Sequence, residues 1–578
     1  MQYSQLCKVY EELEQNSSRL KKTEILADFL KKLKKEKDQE IIYLLQGKTF
    51  PDYSEKEFGI SEKLCIKALT KASGTSDKEI IERWRKIGDI GKVAEQIMGR
   101  KKQNTLFSHK LTAKKVLDNL KKLPELEGKG TIERKLALIS ELLTSASGTE
   151  AKYIIRTLLG DLRVGTGEGT IRDSIRDACF ETSSEEDTSK KSLNVMDSEN
   201  KKQITETIQD AYDKSTDWKL VFEQACKGLS ALKSTELTPG KPVKVMLFPK
   251  EDSFEDGFSR VGKPALIDYK YDGFRMMINK NNNQIKVFTR RLDDVSKQFP
   301  EVKEYVKKYI KGESFILDTE AVGYDPETKK YRPFQEISQR IKRKYDIDKM
   351  ARELPIEINV FDIIYYNNKS LIKTPFKERR KIIEKIIEKH PYKIRPSEAI
   401  ITESVEKAEN FYKKAIEDGE EGVMMKNLEA PYKPGSRVGY GIKIKPSEND
   451  FDLVIIEAEY GTGKRAGWLS SYTVACRKDN KFLEIGKVST GLKEKTEGLT
   501  FKELTKKLKP LITKEHGRTV EVKPKLVVTV VYQNIQKSPK YSSGFALRFP
   551  RITRLRPDRK AGDVATLEEV KKEVERKS

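Results

Sequence analysis

The chain has 578 residues, more than one ordinary core accommodates, so two to four domains are expected. Lysine and arginine outnumber aspartate and glutamate, leaving a formal net charge of +24. That surplus fits a polyanionic partner such as nucleic acid, and equally a lysine-rich chain with solvated helix faces. No apolar run approaches membrane-spanning length, and the N-terminal MQYSQLCKVYEELEQ has no apolar signal region, so an intracellular protein without a membrane anchor is expected. Cys7, Cys65, Cys179, Cys226 and Cys476 form no C-x-x-C pair, which supports neither a structural zinc nor a disulfide framework and leaves buried free thiols as the default. His109, His390 and His516 lie far apart. Any metal is therefore expected on carboxylates, which favours magnesium-like chemistry.

Residues 1 to about 235 read as helices. Val116, Leu117, Leu120 and Leu123, then Ile132, Leu136, Ile139, Leu142 and Leu143, recur at three- and four-residue steps. Gly128-Lys129-Gly130-Thr131 opens the second of these helices, with Thr131 an ordinary cap or the small residues an approach for phosphate. Thr182 to Gln203 is polar and aperiodic, and reads as an exposed loop or disordered insertion. Pro239-Gly240-Lys241-Pro242 is a connector. Strand-like runs follow at Ala265–Tyr269, Phe274–Ile278, Ile285–Thr289, Phe315–Leu317, Ile356–Phe361 and Gly422–Lys426, with helices such as Arg379–Glu388 between them, giving an α+β domain. A further change near 446 leads into closely spaced strands over 450–556, suited to a small barrel, an OB-fold being the natural choice for a basic protein. After Thr566 a short amphipathic helix closes the chain.

The chemistry-bearing residues sit at strand ends. Lys270-Tyr271-Asp272-Gly273 follows the first strand of the α+β region, and alone this K-x-D-G is a weak signal. Downstream come Thr289-Arg290-Arg291, Leu317-Asp318-Thr319-Glu320, Phe361-Asp362, Glu421-Gly422-Val423-Met424-Met425-Lys426 and Lys443-Ile444-Lys445. One charge beside a buried strand is usually an exposed edge, whereas a series mixing Lys, Arg and Glu suggests strand ends converging on phosphate and metal.

In this order and spacing the segments resemble the motifs of the covalent nucleotidyltransferases, the superfamily of ATP-dependent DNA ligases, RNA ligases and capping enzymes. Glu150–Ile154 and Gly160–Gly165 resemble the DNA-binding domain of archaeal and eukaryotic replicative ligases, and Gly544–Arg551 resembles their closing motif. The resemblance covers residues 100 to 570 and implies a multidomain protein: an all-α DNA-binding domain (1–238), an α+β adenylation domain (239–446) and an all-β OB-fold domain (447–578). It implies sealing of nicks in double-stranded DNA through a lysyl-AMP and an adenylated 5′-phosphate, in replication, repair and recombination, by a monomer in an archaeal-type cytoplasm with its nucleoid. An RNA ligase or capping-type enzyme is the alternative. ATP as AMP donor and Mg²⁺ or Mn²⁺ are the implied cofactors, with ADP and NAD⁺ left open.

Residue by residue, the resemblance makes Lys270 the nucleophile, activated by Lys443, Lys445 and the metal. Asp268, where the family more often has Glu, meets the adenine amino group, and Phe361 stacks on the base. Arg275 and Arg290 bind ribose and phosphates, and Arg437, Lys443 and Lys445 form the phosphate-binding stretch. Glu320 meets a ribose hydroxyl or metal, and Glu421 binds metal. Arg548 and Arg551 orient the β and γ phosphates after closure of the barrel over the nucleotide. Gly441 and Arg291 depart from the family's usual Trp and Asn. Gln103, Leu106 and Phe107 resemble a sliding-clamp-binding peptide of some archaeal ligases and read equally well as part of a polar linker.

Overall fold

A computed structural model describes the chain except residues 37, 55, 101–109, 127, 181–193, 342, 344, 436–438, 447–448, 462–464, 466, 495–498, 517 and 576–578, and the side chains of 85–86, 194–197 and 335. Gln103, Leu106, Phe107 and Arg437 thus lie outside the described residues. The chain divides into two compact units, Met1–Lys445 and Pro446–Ser578.

The first unit begins with helices, from Tyr3–Gln15 to Leu229–Lys233, around one apolar cluster. Local sequence accounts for their ends. Thr112 accepts a hydrogen bond from the Lys115 N–H and so starts Ala113–Lys122, which buries Val116, Leu117 and Leu120. Ser147 and Glu150 form a capping box at the start of Gly148–Leu158. That helix is buried from Glu150 to Leu158, so its Lys152 and Arg156 need partners inside the fold. Arg156 donates to Glu14 at 3.0 and 3.1 Å and to Asp89 at 2.7 Å, and Lys152 meets Glu14 at 3.0 Å.

Two details depart from the sequence reading. The helix Asn194–Ser215 includes residues 194–203, taken above as loop. Its C-terminal half supplies the reason: Ile208, Ala211 and Tyr212 are buried, and Tyr212 stacks on Trp218 with ring centroids 3.8 Å apart, so a packed end carries a polar beginning. The helix Thr131–Ser145 is capped by Gly130, in the left-handed conformation, rather than by Thr131.

Two antiparallel arrays complete the first unit. A four-stranded sheet runs in the order Gly441–Ile444, Val423–Asn427, Ala265–Tyr269, Ala399–Thr402. A second sheet is ordered Gln284–Thr289, Phe274–Asn281, Ser314–Tyr324, Ile356–Tyr366, Lys369–Ser370, and Ile394–Pro396 pairs in parallel with Ile356–Tyr366. Alternation sorts each sheet into an apolar back and a polar front. In the first, Ala265, Ile267, Tyr269, Val423, Met425, Ile442 and Ile444 join one core cluster. The register aligns Asp268 with Met424 and Met424 with Lys443, so the opposite face carries Asp268, Lys426 and Lys443. In the second, Phe274, Met276, Ile278, Ile356, Ile358 and Val360 pack behind, while Arg275, Glu320 and Asn359 align across the front.

The second unit is β-rich. One sheet is ordered Lys481–Val488, Leu469–Lys478, Asn449–Tyr460, Thr519–Val522, Ile512–His516, and Val527–Tyr532 joins Asn449–Tyr460 to Arg551–Leu555. The helix Phe501–Leu508, started by Thr500, interrupts what read as continuous strands, and it buries Phe501, Leu504 and Leu508. Leu567–Glu575 is the closing helix. Among the described residues no helix is long and apolar enough to cross a membrane.

Candidate active site

Three strand ends meet at Lys270. The amine-bearing residue follows Ala265–Tyr269, Glu421 precedes Val423–Asn427, and Lys445 follows Gly441–Ile444, all at one edge of the four-stranded sheet. The backbone locks them together. The Lys270 N–H donates to the Gly422 carbonyl and the Glu421 N–H to the Lys270 carbonyl, each at 2.9 Å. Two glycines are sterically required. A Cβ on Gly422, with φ of 133°, would fall 2.2 Å from the Ile444 carbonyl oxygen, and one on Gly273 would fall 2.3 Å from that of Ala321. The glycines of the D-G and E-G pairs are thus where chain meets chain around the lysine.

Glu421 Oε2 accepts from Lys270 Nζ and from Lys445 Nζ, both at 2.5 Å. Burial pushes this carboxyl up, but the two ammonium groups outweigh it and hold it at about 2. Glu320 is different. Burial pushes it up to about 7, with Asp318 and Glu421 adding to burial against Lys270 and Arg275. Its carboxylate makes no hydrogen bond among the described residues. Next along the chain from Glu421, Glu420 is buried, pushed up to about 8 by that burial, and accepts from the Asp272 N–H at 2.9 Å. The turn carrying the lysine is thereby tied down at both Lys270 and Asp272.

Beside the lysine lies a second group. Buried Asp268 accepts at Oδ2 from Lys426 Nζ at 2.6 Å and from Ser397 Oγ at 3.2 Å, while its Oδ1 meets no donor in the described structure. Lys426 Nζ lies 4.7 Å from the centroid of the half-buried Phe361 ring, and the Arg275 guanidinium lies 5.1 Å from it. Arg275 is held rigidly: Nε donates to Asp318 at 2.8 Å, a second nitrogen pairs with the other Asp318 oxygen, and Nη1 donates to the Met246 carbonyl at 2.8 Å. Tyr432 donates to the same Asp318 at 2.6 Å.

The fold thus brings Asp268, Lys270, Arg275, Glu320, Phe361, Glu421, Lys443 and Lys445 onto the polar fronts of two sheets. Arg290 stands in the exposed turn after Gln284–Thr289. Arg548 and Arg551 belong to the second unit, flanking exposed Phe549 and Pro550. Sequence reasoning assigned no role to Lys426, Asp318, Tyr432 or Glu420. Of these, Lys426 carried a signal, as a lysine after an apolar run. An amine beside a carboxylate, further cations and an aromatic face can hold a phosphate ester of a planar base and attack its phosphorus. Among the described residues no group of three or more His, Cys, Asp and Glu gathers to hold a metal.

Family models agree along the chain: ATP dependent DNA ligase domain over residues 245–445, DNA ligase N terminus over 2–176, and ATP dependent DNA ligase C terminal region over 465–559. The DNA ligase of Nanoarchaeum equitans is 43% identical, covering 99% of this chain and 98% of its own length. That of Thermococcus fumicolans is 39% identical, covering 99% and 98%. The solved structure of Pmar-Lig_Pre shares the fold, with a TM-score of 0.56 at 18% identity over 95% of this chain and 99% of its own. The chain belongs to the ATP-dependent DNA ligase family.

Proposed function

We infer that this chain is an ATP-dependent DNA ligase that seals nicks in duplex DNA, and that Lys270 is its nucleophile. The observation that carries the assignment is the pairing of Lys270 and Lys445 on one Glu421 oxygen, at a turn whose glycines tolerate no side chain. The Lys270 amine, once deprotonated, forms a bond to the α-phosphorus of ATP as the bond to pyrophosphate breaks. The DNA 5′-phosphate then displaces the lysine, and the 3′-hydroxyl displaces AMP. Asp268 Oδ1 is an acceptor suited to an adenine amino group, Phe361 offers its face to the ring, and Arg275 offers donors to the ribose and phosphates. Lys443, Lys445, Arg290 and Arg437 supply charge to the phosphates, and Arg548 and Arg551 of the second unit orient the leaving pyrophosphate.

Glu320 and Glu421 are hard oxygen donors fitted to Mg²⁺ or Mn²⁺, with phosphate and water completing the shell. Such an ion supplies charge neutralisation of the triphosphate. It also suits Glu320, whose carboxylate stands without a hydrogen bond among the described residues. The domain division 1–238, 239–446 and 447–578, an OB-fold for the last, a monomeric state and clamp binding through Gln103, Leu106 and Phe107 belong to the same reading. The strand-rich second unit supports the OB-fold.

The test is a nicked duplex with a 5′-phosphate, offered with DNA or RNA at the 3′ side and ATP, ADP or NAD⁺. Sealing of the DNA nick with ATP is expected. Sealing confined to RNA 3′ ends would move the chain to the RNA ligases.

A further inference from the structure

We propose that Cys179 and Cys226 are a site of oxidative modification, at which a hydroperoxide joins the two sulfurs into an intramolecular disulfide. Cys179 lies one residue from the end of the helix Glu168–Phe180, and Cys226 one residue from the end of Trp218–Lys227. The residues are 47 apart in sequence, yet their sulfurs are 3.8 Å apart, in direct contact. A disulfide needs about 2.0 Å, so the sulfurs must close by less than 2 Å, within reach of a rotation about each Cα–Cβ bond.

The contrast with the other thiols is chemical as well as geometric. Cys7, Cys65 and Cys476 are buried, and burial pushes Cys65 to about 12 and Cys476 to about 11, which leaves them inert. Cys179 and Cys226 are half-buried. The hydrogen bond with Cys179 holds Cys226 below its ordinary value in spite of burial, and the Lys34 ammonium pulls the same way. The Lys34 ammonium favours the thiolate of either sulfur, so whichever of the two ionises attacks and the other resolves it.

The thiolate of one cysteine attacks one peroxide oxygen, the O–O bond breaks, and a sulfenic acid forms with hydroxide (from hydrogen peroxide), which the proton released by that thiol converts to water. The thiol of the other cysteine then attacks the sulfenic sulfur, and its proton leaves with the hydroxyl as a second water. Two thiols are oxidised by two electrons and one peroxide is reduced. The bond ties the helix before residues 181–193 to the helix that follows Asn194–Ser215. By restricting the unfolded chain it raises the unfolding midpoint of the helical region. The pair shares no residue with the Lys270 cleft, so labelling of the lysine by ATP is expected to be the same in reduced and oxidised protein.

The full chain is treated with a small excess of hydrogen peroxide, quenched, alkylated without reductant, digested and mapped by mass spectrometry. The expected product is a Cys179–Cys226 linked peptide that dithiothreitol separates, with an intact mass lower by two hydrogens. The oxidised form should unfold at higher temperature than the reduced form, and Cys226→Ser and Cys179→Ser should each yield no linked peptide. Either cysteine carrying two or three oxygens beside a free partner, a link between two chains, or free alkylation of both thiols after peroxide would overturn the proposal. A lower midpoint for the cross-linked form would overturn its stabilising role.

Discussion

In the helical region Arg156 spreads its guanidinium over Glu14 and Asp89 on two other segments, with Lys152 and Tyr153 also on Glu14. In the cleft Lys270 and Lys445 crowd onto a single oxygen of Glu421, while Glu320 keeps a carboxylate without a hydrogen bond among the described residues. The side chains are of the same kinds, but their arrangements differ. The first cluster also gathers donors on one Glu14 oxygen, but Arg156 reaches on to the other Glu14 oxygen and to Asp89 in a separate element, and so fixes how helices pack. The second also sets two cations on one oxygen but leaves the Glu320 carboxylate and Asp268 Oδ1 without a donor among the described residues, which suits an incoming nucleotide and its metal.

The contrast is sharpest under mutation. Arg156→Met takes from Glu14 its two-pronged donor and from buried Asp89 its nearest cation, leaving Asp89 with Arg163 at 3.3 Å, and should cost about 3 kcal/mol of folding stability in thermal or denaturant unfolding. Its adenylation rate per folded molecule should stay near wild type. Glu421→Gln should do the reverse, lowering the rate of self-adenylation on the order of 10²–10³-fold with a much smaller loss of stability. Equal losses of stability in both variants would erase the distinction between the clusters.

Acid tests the first cluster through stability. Arg156 and Lys152 overcome the effect of burial and hold Glu14 at about 2, against 4.5 as the ordinary value. The folded-state value is depressed, so the stabilisation is present above 4.5 and is lost as pH falls toward 2. Glu14→Gln should therefore cost on the order of 1–2 kcal/mol at pH 7, after allowance for solvent screening, and nearly nothing near pH 2. Stability profiles of the two proteins that stay parallel across this range would contradict the assignment. The smallest effect is expected at the base: Phe361→Leu keeps the fold and removes a stacking face, weakening apparent ATP affinity by about 0.5–1.5 kcal/mol, read as a rise in KM with kcat little changed.

The charges beside apolar runs were legible as a set, but the choice of Lys270, Glu320 and Glu421 among them rested on the resemblance to the covalent nucleotidyltransferases, and Glu320 lies inside the strand Ser314–Tyr324 rather than at its end. The partner of Asp268 was not legible, because Lys426 meets it only through the pairing of two strands that are 158 residues apart at this contact. The anchoring of Arg275 by Asp318 and Tyr432 is hidden for the same reason. The helix Asn194–Ser215 was misread at its start because its polar first turns borrow stability from Ile208, Ala211 and Tyr212 further along. Phe501, Leu504 and Leu508 did carry helical spacing, obscured by the strands on either side. The Cys179–Cys226 contact joins two helices and leaves no spacing signature at all.

The central claim is that one amine becomes a phosphorus–nitrogen bond. Incubation of the wild-type chain and Lys270→Ala with α-labelled ATP, followed by peptide mapping of any label, tests it directly. The account predicts a single acid-labile adenylate on Lys270, and no label and no sealing in the variant. Label on another side chain, or sealing by Lys270→Ala, would contradict it.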